Sequence, residues 1–147
     1  RTHGLVQSSR MLYKIFSTFP QLTLDVSLFM HRALHVQRTL WDHYGVEFER
    51  ILYNWEDDAE FSKQRFSSKY PIFFGDVTVY CFHPIHVFLN TSNIRDFGFF
   101  RQEVGSLPQY KVKREMALKF KNEGLGSRSF LLRILQNEAK SISLVDV

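Results

Sequence analysis

The feature that most constrains this chain is the run from Asp25 to Trp55, where apolar residues recur with a helical period. On a wheel at about 100° per residue, Val26, Met30, Ala33, Leu34, Leu40, Trp41, Tyr44, Phe48, Ile51, Leu52 and Trp55 fall within an arc of about 120°. His31, His35, Arg38, Asp42 and Glu49 take the opposite face. The pattern predicts a long amphipathic helix that must lie on a core or a partner. Gly45 weakens a helix interior by about 1 kcal/mol relative to Ala, so a kink or break is expected there.

The remainder falls into segments around that helix. Ser8 or Ser9 caps a helix running to about Phe19, and Pro20 ends it. Residues 1–19 carry Arg1, Arg10 and Lys14 without an acid, a composition like that of a transit peptide, although an ordinary short helix on the core is the better explanation. The chain begins with Arg rather than Met, which reads as a processed chain or a fragment. Glu56, Asp57, Asp58 and Glu60 form an acidic knot, with Asp57 placed to cap a short helix through Phe66.

From Ile72 to Leu89 the chain alternates as a strand does, interrupted at His83 and Pro84, and a β-hairpin or two short strands are expected. Residues 90–106 read as a loop-rich connection, in which Phe97, Phe99 and Phe100 need burial in the core or at an interface. Ser106 and Pro108 signal a helix to about Asn122, and a last helix is expected from about Arg128 to Lys140.

These segments define an α+β expectation. It is a helix-rich single domain over residues 1–147, with a long amphipathic helix packed on a small antiparallel β-hairpin or sheet and two C-terminal helices. Residues 1–70 form its helical part, 71–106 the hairpin and loop, and 107–147 the basic C-terminal helices. A length of 147 residues suits one core. With one Cys there is no internal disulfide, which excludes a disulfide scaffold and points to an intracellular reducing compartment. No apolar run approaches the roughly 20 residues of a membrane span.

Charge is unevenly placed. Residues 1–106 hold eleven Lys/Arg and eleven Asp/Glu, whereas residues 107–147 hold eight and four, so the whole excess of +4 lies in the last third. Lys111, Lys113, Arg114, Lys119, Lys121, Arg128 and Arg133 are therefore the candidate RNA- or polyanion-binding residues. Gly124 to Arg128 before a helix offers a secondary phosphate contact, although a glycine C-cap followed by a serine N-cap explains it as well.

Two clusters carry metal-ligand or nucleophile chemistry. His31 and His35, at i and i+4, share a helix face with Asp42, but Arg32 stands where a zinc-protease motif has its Glu. Cys81, His83 and His86 are suitable Zn²⁺ ligand types, yet a structural site wants four ligands. The acidic knot is set aside as a metal site because neighbouring residues on one helix point in different directions.

No catalytic set, metal or cofactor is assigned, and no small-molecule substrate is identified. The expected function is a non-catalytic subunit of an assembly with protein and RNA partners, such as a mitochondrial ribosome in the matrix. The first alternative is a protein-only accessory subunit, for example of a respiratory complex. The second is a small enzyme dependent on a thiol or a metal.

Overall fold

The computed structural model describes residues 8–61, 66–69, 71, 73, 75–108 and 111–137. The described residues divide into two units, the first of residues 8–55, 73 and 75–80, the second of residues 56–61, 66–69, 71, 81–108 and 111–137.

In the first unit, helix α1 (Ser9–Thr18) begins where expected, with the Ser8 hydroxyl accepting the Met11 N–H at 3.1 Å. The long helix is replaced by strands. β1 (Leu24–Asp25), β2 (Thr39–His43) and β3 (Val46–Arg50) form a sheet in the order β1-β3-β2, with β1 parallel and β2 antiparallel to β3. Gly45 is a turn rather than a kink. Tyr44 and Gly45 both take positive φ, 55° and 76°, which is what a two-residue hairpin whose twist matches its strands requires. Asp42 Oδ1 accepts the Gly45 N–H and stiffens the turn.

Much of the apolar stripe is not core at all. Leu40, Trp41, Tyr44, Met30 and Leu34 are exposed, whereas Ile51, Tyr53 and Trp55 are buried. Phe16 of α1 stacks on Phe48 of β3 at 4.3 Å, and together with Leu12 they make a small core. Fully buried Asn54 joins two loops by donating to the carbonyls of Ala33 and Val77 and accepting the Val79 N–H. Asp25 is paired with Arg50 at 2.7 Å, and Arg38 with Glu49.

The second unit is mainly helical: α2 (Asp57–Phe61), α3 (Pro84–Leu89), α4 (Ile94–Val104), α5 (Arg114–Leu118) and α6 (Ser127–Gln136). Among the described residues of 72–89 no hairpin is formed. A two-residue strand β5 (Tyr80–Cys81) joins β4 (Trp55–Glu56) in a second sheet. Pro84 starts α3 rather than interrupting a strand, because a missing N–H costs nothing at the first helical position.

The expected loop at 90–106 is mostly α4, capped by the Asn93 side chain. Phe100 is buried with Leu89, Val104 and Ala117, Phe97 packs against that cluster, and Phe99 is exposed. The basic helix expected over 106–122 shortens to α5; the last helix ends at Gln136, and residues 138–140, over which it was expected to continue, lie outside the described residues. No helix among the described residues is long and apolar enough to cross a membrane.

Candidate metal centre

Within the second unit, α2 and the start of α3 bring together two pairs of side chains that are far apart in sequence. Asp57 and Asp58 open α2, His83 is the N-cap of α3, and His86 lies on its first turn. Each offers one potential ligand atom, and these atoms all lie within 4.8 Å of one another.

Asp57 is the hub of the group. It is fully buried, and both of its oxygens are engaged. Oδ1 accepts the Asp58 N–H at 3.0 Å and faces His83 Nδ1 at 2.7 Å; Oδ2 accepts the His83 N–H at 3.0 Å and the Ser127 hydroxyl at 3.1 Å. An ionised carboxylate only accepts, so His83 carries its proton on Nδ1 and leaves Nε2 for another partner. Glu56 Oε1 is 3.8 Å from that Nε2.

His86 is held as firmly. It is 2 % exposed, and its ring is met edge-on by Phe61 at 4.4 Å and Phe97 at 4.3 Å. Nδ1 lies 3.2 Å from the Thr91 hydroxyl, while Nε2 lies 2.6 Å from Asp58 Oδ1. Asp58 is the exposed member, with its side chain at 52 %.

Burial lowers the pKa of the His83 imidazole, but the Asp57 hydrogen bond and the charges of Asp57, Asp58 and Glu56 outweigh it, and the net value lies above that of an ordinary histidine. The same excess of negative charge would attract a cation.

The donor set fits a divalent transition metal. Two carboxylates and two imidazoles are ligand types that Zn²⁺ and its neighbours accept. Each imidazole is anchored through Nδ1, His83 by a carboxylate and His86 by a hydroxyl; His86 Nε2 meets Asp58, and His83 Nε2 faces Glu56. That outer support is characteristic of metal-ligating histidines.

The sequence signals were visible but lay in separate places. His83 and His86 stand close in sequence to Cys81, which is partly buried on β5 and takes no part in the group. In the acidic knot, adjacent residues of one helix point in different directions. Asp57 and Asp58 do diverge, one towards His83 and the other towards His86, but α3 lies against α2 and both directions meet imidazoles.

The other candidates do not assemble in this way. His31 and His35 lie in a loop rather than on a helix, with His35 Nδ1 3.5 Å from Asp76 Oδ2, and Asp42 is on β2. The seven basic residues share no single helix. Lys111 and Lys113 precede α5, Arg114 begins it, Lys119 and Lys121 follow it, and Arg128 and Arg133 are on α6. Lys121 pairs with Glu123, and Arg133 donates to the carbonyls of Ser67 and Ser68. Three of the amides over 124–128 are engaged internally: Ser127 N–H donates to the Thr91 carbonyl, Gly126 N–H to the Ser129 hydroxyl and Gly124 N–H to Asn122 Oδ1.

The fold and site together define an α+β protein with a carboxylate–imidazole group suited to metal-assisted chemistry. A family model, WbmS-like polysaccharide deacetylase, matches residues 1–100, and the chain belongs to that family. All four residues of the group lie inside the matched stretch.

A crystal structure from Bordetella bronchiseptica, of a protein named provisionally as a polysaccharide deacetylase involved in O-antigen biosynthesis, is similar at a TM-score of 0.69 with 28 % identity. The match covers 93 % of this chain and 54 % of that one, so the chain spans about half the length of this solved relative. No curated protein matches the chain.

These findings correct the functional expectation. Membership of a polysaccharide deacetylase family overturns the reading as a mitochondrial ribosomal or other non-catalytic subunit with RNA and protein partners and no substrate. Aromatic abundance and C-terminal positive charge are compositional properties, and neither reports a site that forms only in three dimensions.

Proposed function

We propose that this chain carries the metal-binding and catalytic group of a polysaccharide deacetylase, which hydrolyses acetyl groups from a glycan. The observation that carries the reading is the convergence of Asp57, Asp58, His83 and His86 in a chain of this family. The net reaction adds water to the acetyl carbonyl and breaks the C–N or C–O bond to the sugar. Acetate leaves, and the freed amine or hydroxyl of the glycan takes up a proton.

Asp58, His83 and His86 are the residues that would hold a divalent cation, each offering one ligand atom. Such an ion would polarise the acyl carbonyl and favour ionisation of water at neutral pH.

The chain's own residues divide the remaining work. Asp57, buried and saturated by four donors, fixes the His83 tautomer and ring plane rather than meeting substrate. The Thr91 hydroxyl can donate or accept, so His86 keeps its anchor in either tautomer. Phe61 and Phe97 exclude water from the flanks of His86 and stop its ring from turning. Asp58 is the carboxylate of the group that reaches solvent, and hence a glycan.

The test is acetate release from an acetylated polysaccharide by protein loaded with Zn²⁺ or Co²⁺, beside calorimetric titration of the ion alone. Stoichiometric binding and turnover are expected, with both reduced at least tenfold in Asp58→Ala and His86→Ala. Wild-type protein that binds neither ion would sink the proposal.

A further inference from the structure

We infer that Ser127, which lies on α6 outside the residues matched by the family model, is a positioning residue for the metal centre. The inference rests on the proposed reading of that centre. Ser127 is completely buried, and its backbone and side chain are both committed to groups that support the site. Its hydroxyl donates to Asp57 Oδ2 at 3.1 Å, and its N–H donates to the Thr91 carbonyl at 2.9 Å. Asp57 in turn orients His83, and the Thr91 hydroxyl orients His86. One residue thus touches the supports of both imidazoles, 70 residues along the chain from Asp57.

Neighbouring structure places Ser127 tightly. Asn90, in the left-handed conformation at the end of α3, donates through Nδ2 to the carbonyls of Asn122 and Gly124 and accepts the Ser129 N–H on Oδ1. Gly126 lies so close that a Cβ there would fall 2.1 Å from the Asn90 carbonyl oxygen. The start of α6 is therefore pinned to the residue that precedes Thr91, and the Ser127 hydroxyl has little freedom to leave Asp57.

A carboxylate with four donors has its plane fixed at both oxygens. Without the Ser127 hydroxyl, Oδ2 keeps only the His83 N–H, and the carboxylate can rotate away from His83 Nδ1. Loss of an outer-shell partner of this kind lowers metal affinity or activity by about 10–100-fold.

The test measures Zn²⁺ affinity by calorimetry and the visible absorption spectrum of the Co²⁺-loaded protein for wild type, Ser127→Ala, Ser127→Cys and Ser129→Ala. Ser127→Ala is expected to bind at least tenfold more weakly and to change the Co²⁺ spectrum. Ser127→Cys keeps the size of the side chain with a weaker donor and is expected to fall between it and wild type. Should Ser127→Ala fail to fold, Ser127→Cys carries the comparison, and affinity and spectrum equal to wild type in it would overturn the inference.

Ser129→Ala removes a cap of α6 that does not touch Asp57. It is expected to lower the melting temperature while leaving the affinity unchanged. An equal loss of affinity in Ser129→Ala would overturn the inference, because docking of α6 rather than the hydroxyl would then be responsible. Normal binding by every variant would overturn it while leaving the proposed function standing. Wild-type protein that binds neither ion would overturn both.

Discussion

Gly126→Ala is the substitution from which the structure predicts the most, because it strikes the joint between α6 and the supports of the metal centre. The added Cβ would sit 2.1 Å from the Asn90 carbonyl oxygen and 2.8 Å from its carbonyl carbon. Real contacts of this kind are not shorter than about 3.0 Å, and the obstacle is backbone rather than a flexible side-chain tip. The start of α6 has to retreat by roughly an ångström. Overpacking of this sort costs about 1–3 kcal/mol, and weakening the bonds between Asn90 and Asn122, Gly124 and Ser129 adds about 1 kcal/mol.

A total near 2–4 kcal/mol corresponds to a fall in melting temperature of roughly 5–15 °C for a protein of this size. Ser127 is the next residue, so Zn²⁺ affinity should fall with stability. The assay pairs a circular-dichroism melt with calorimetric titration. A melting temperature within 2 °C of wild type, with unchanged affinity, would show that the close approach of Gly126 to Asn90 is not what holds α6 in place.

Three further outcomes are expected. Asn54→Ala removes three hydrogen bonds to backbone groups at a fully buried position, and a loss of about 3–5 kcal/mol is expected at about 1–3 for each group left unsatisfied, with incomplete additivity; a change below 1 kcal/mol in urea denaturation would refute it. Phe16→Ala removes the ring stacked on Phe48 and should cost about 3 kcal/mol, whereas a midpoint unchanged in the same assay would mean that α1 contributes little to its core. Protons compete with the cation at His83, whose pKa lies above the ordinary value. Zn²⁺ binding should therefore weaken from pH 8 to pH 6. In cation-free protein, the stability from the charged His83 is fully present below the unfolded pKa near 6.5 and is lost as pH rises through the folded value. Equal affinity at pH 6 and pH 8 would refute the assignment of His83.

Local signals were legible where a single residue dictates a backbone state. Ser8 caps α1 as expected, and Asp57, read as a cap, is the first residue of α2. Gly45 marked a break, and Gly126 and Ser127 lie at the start of α6. The long amphipathic helix failed because an aromatic-rich segment yields an apolar arc at the helical period even when it folds as strands. Its turn residues, Tyr44 and Gly45, decided the matter through their positive φ. Pro84 misled in the opposite direction, since the same missing N–H that breaks a ladder also starts a helix.

For the site, the sequence by itself determined the ligand types and two short pairings, Asp57 with Asp58 and His83 with His86. Their convergence was decided by tertiary structure. Asp57 and His83 are 26 residues apart, Asp57 and Ser127 are 70, and no periodicity connects such distances. Helical and strand periods report which face of one element is buried, and they carry no information about which two elements meet. That was decided by packing, when α3 placed its histidines against the carboxylates of α2 and Asn90 drew α6 in behind them.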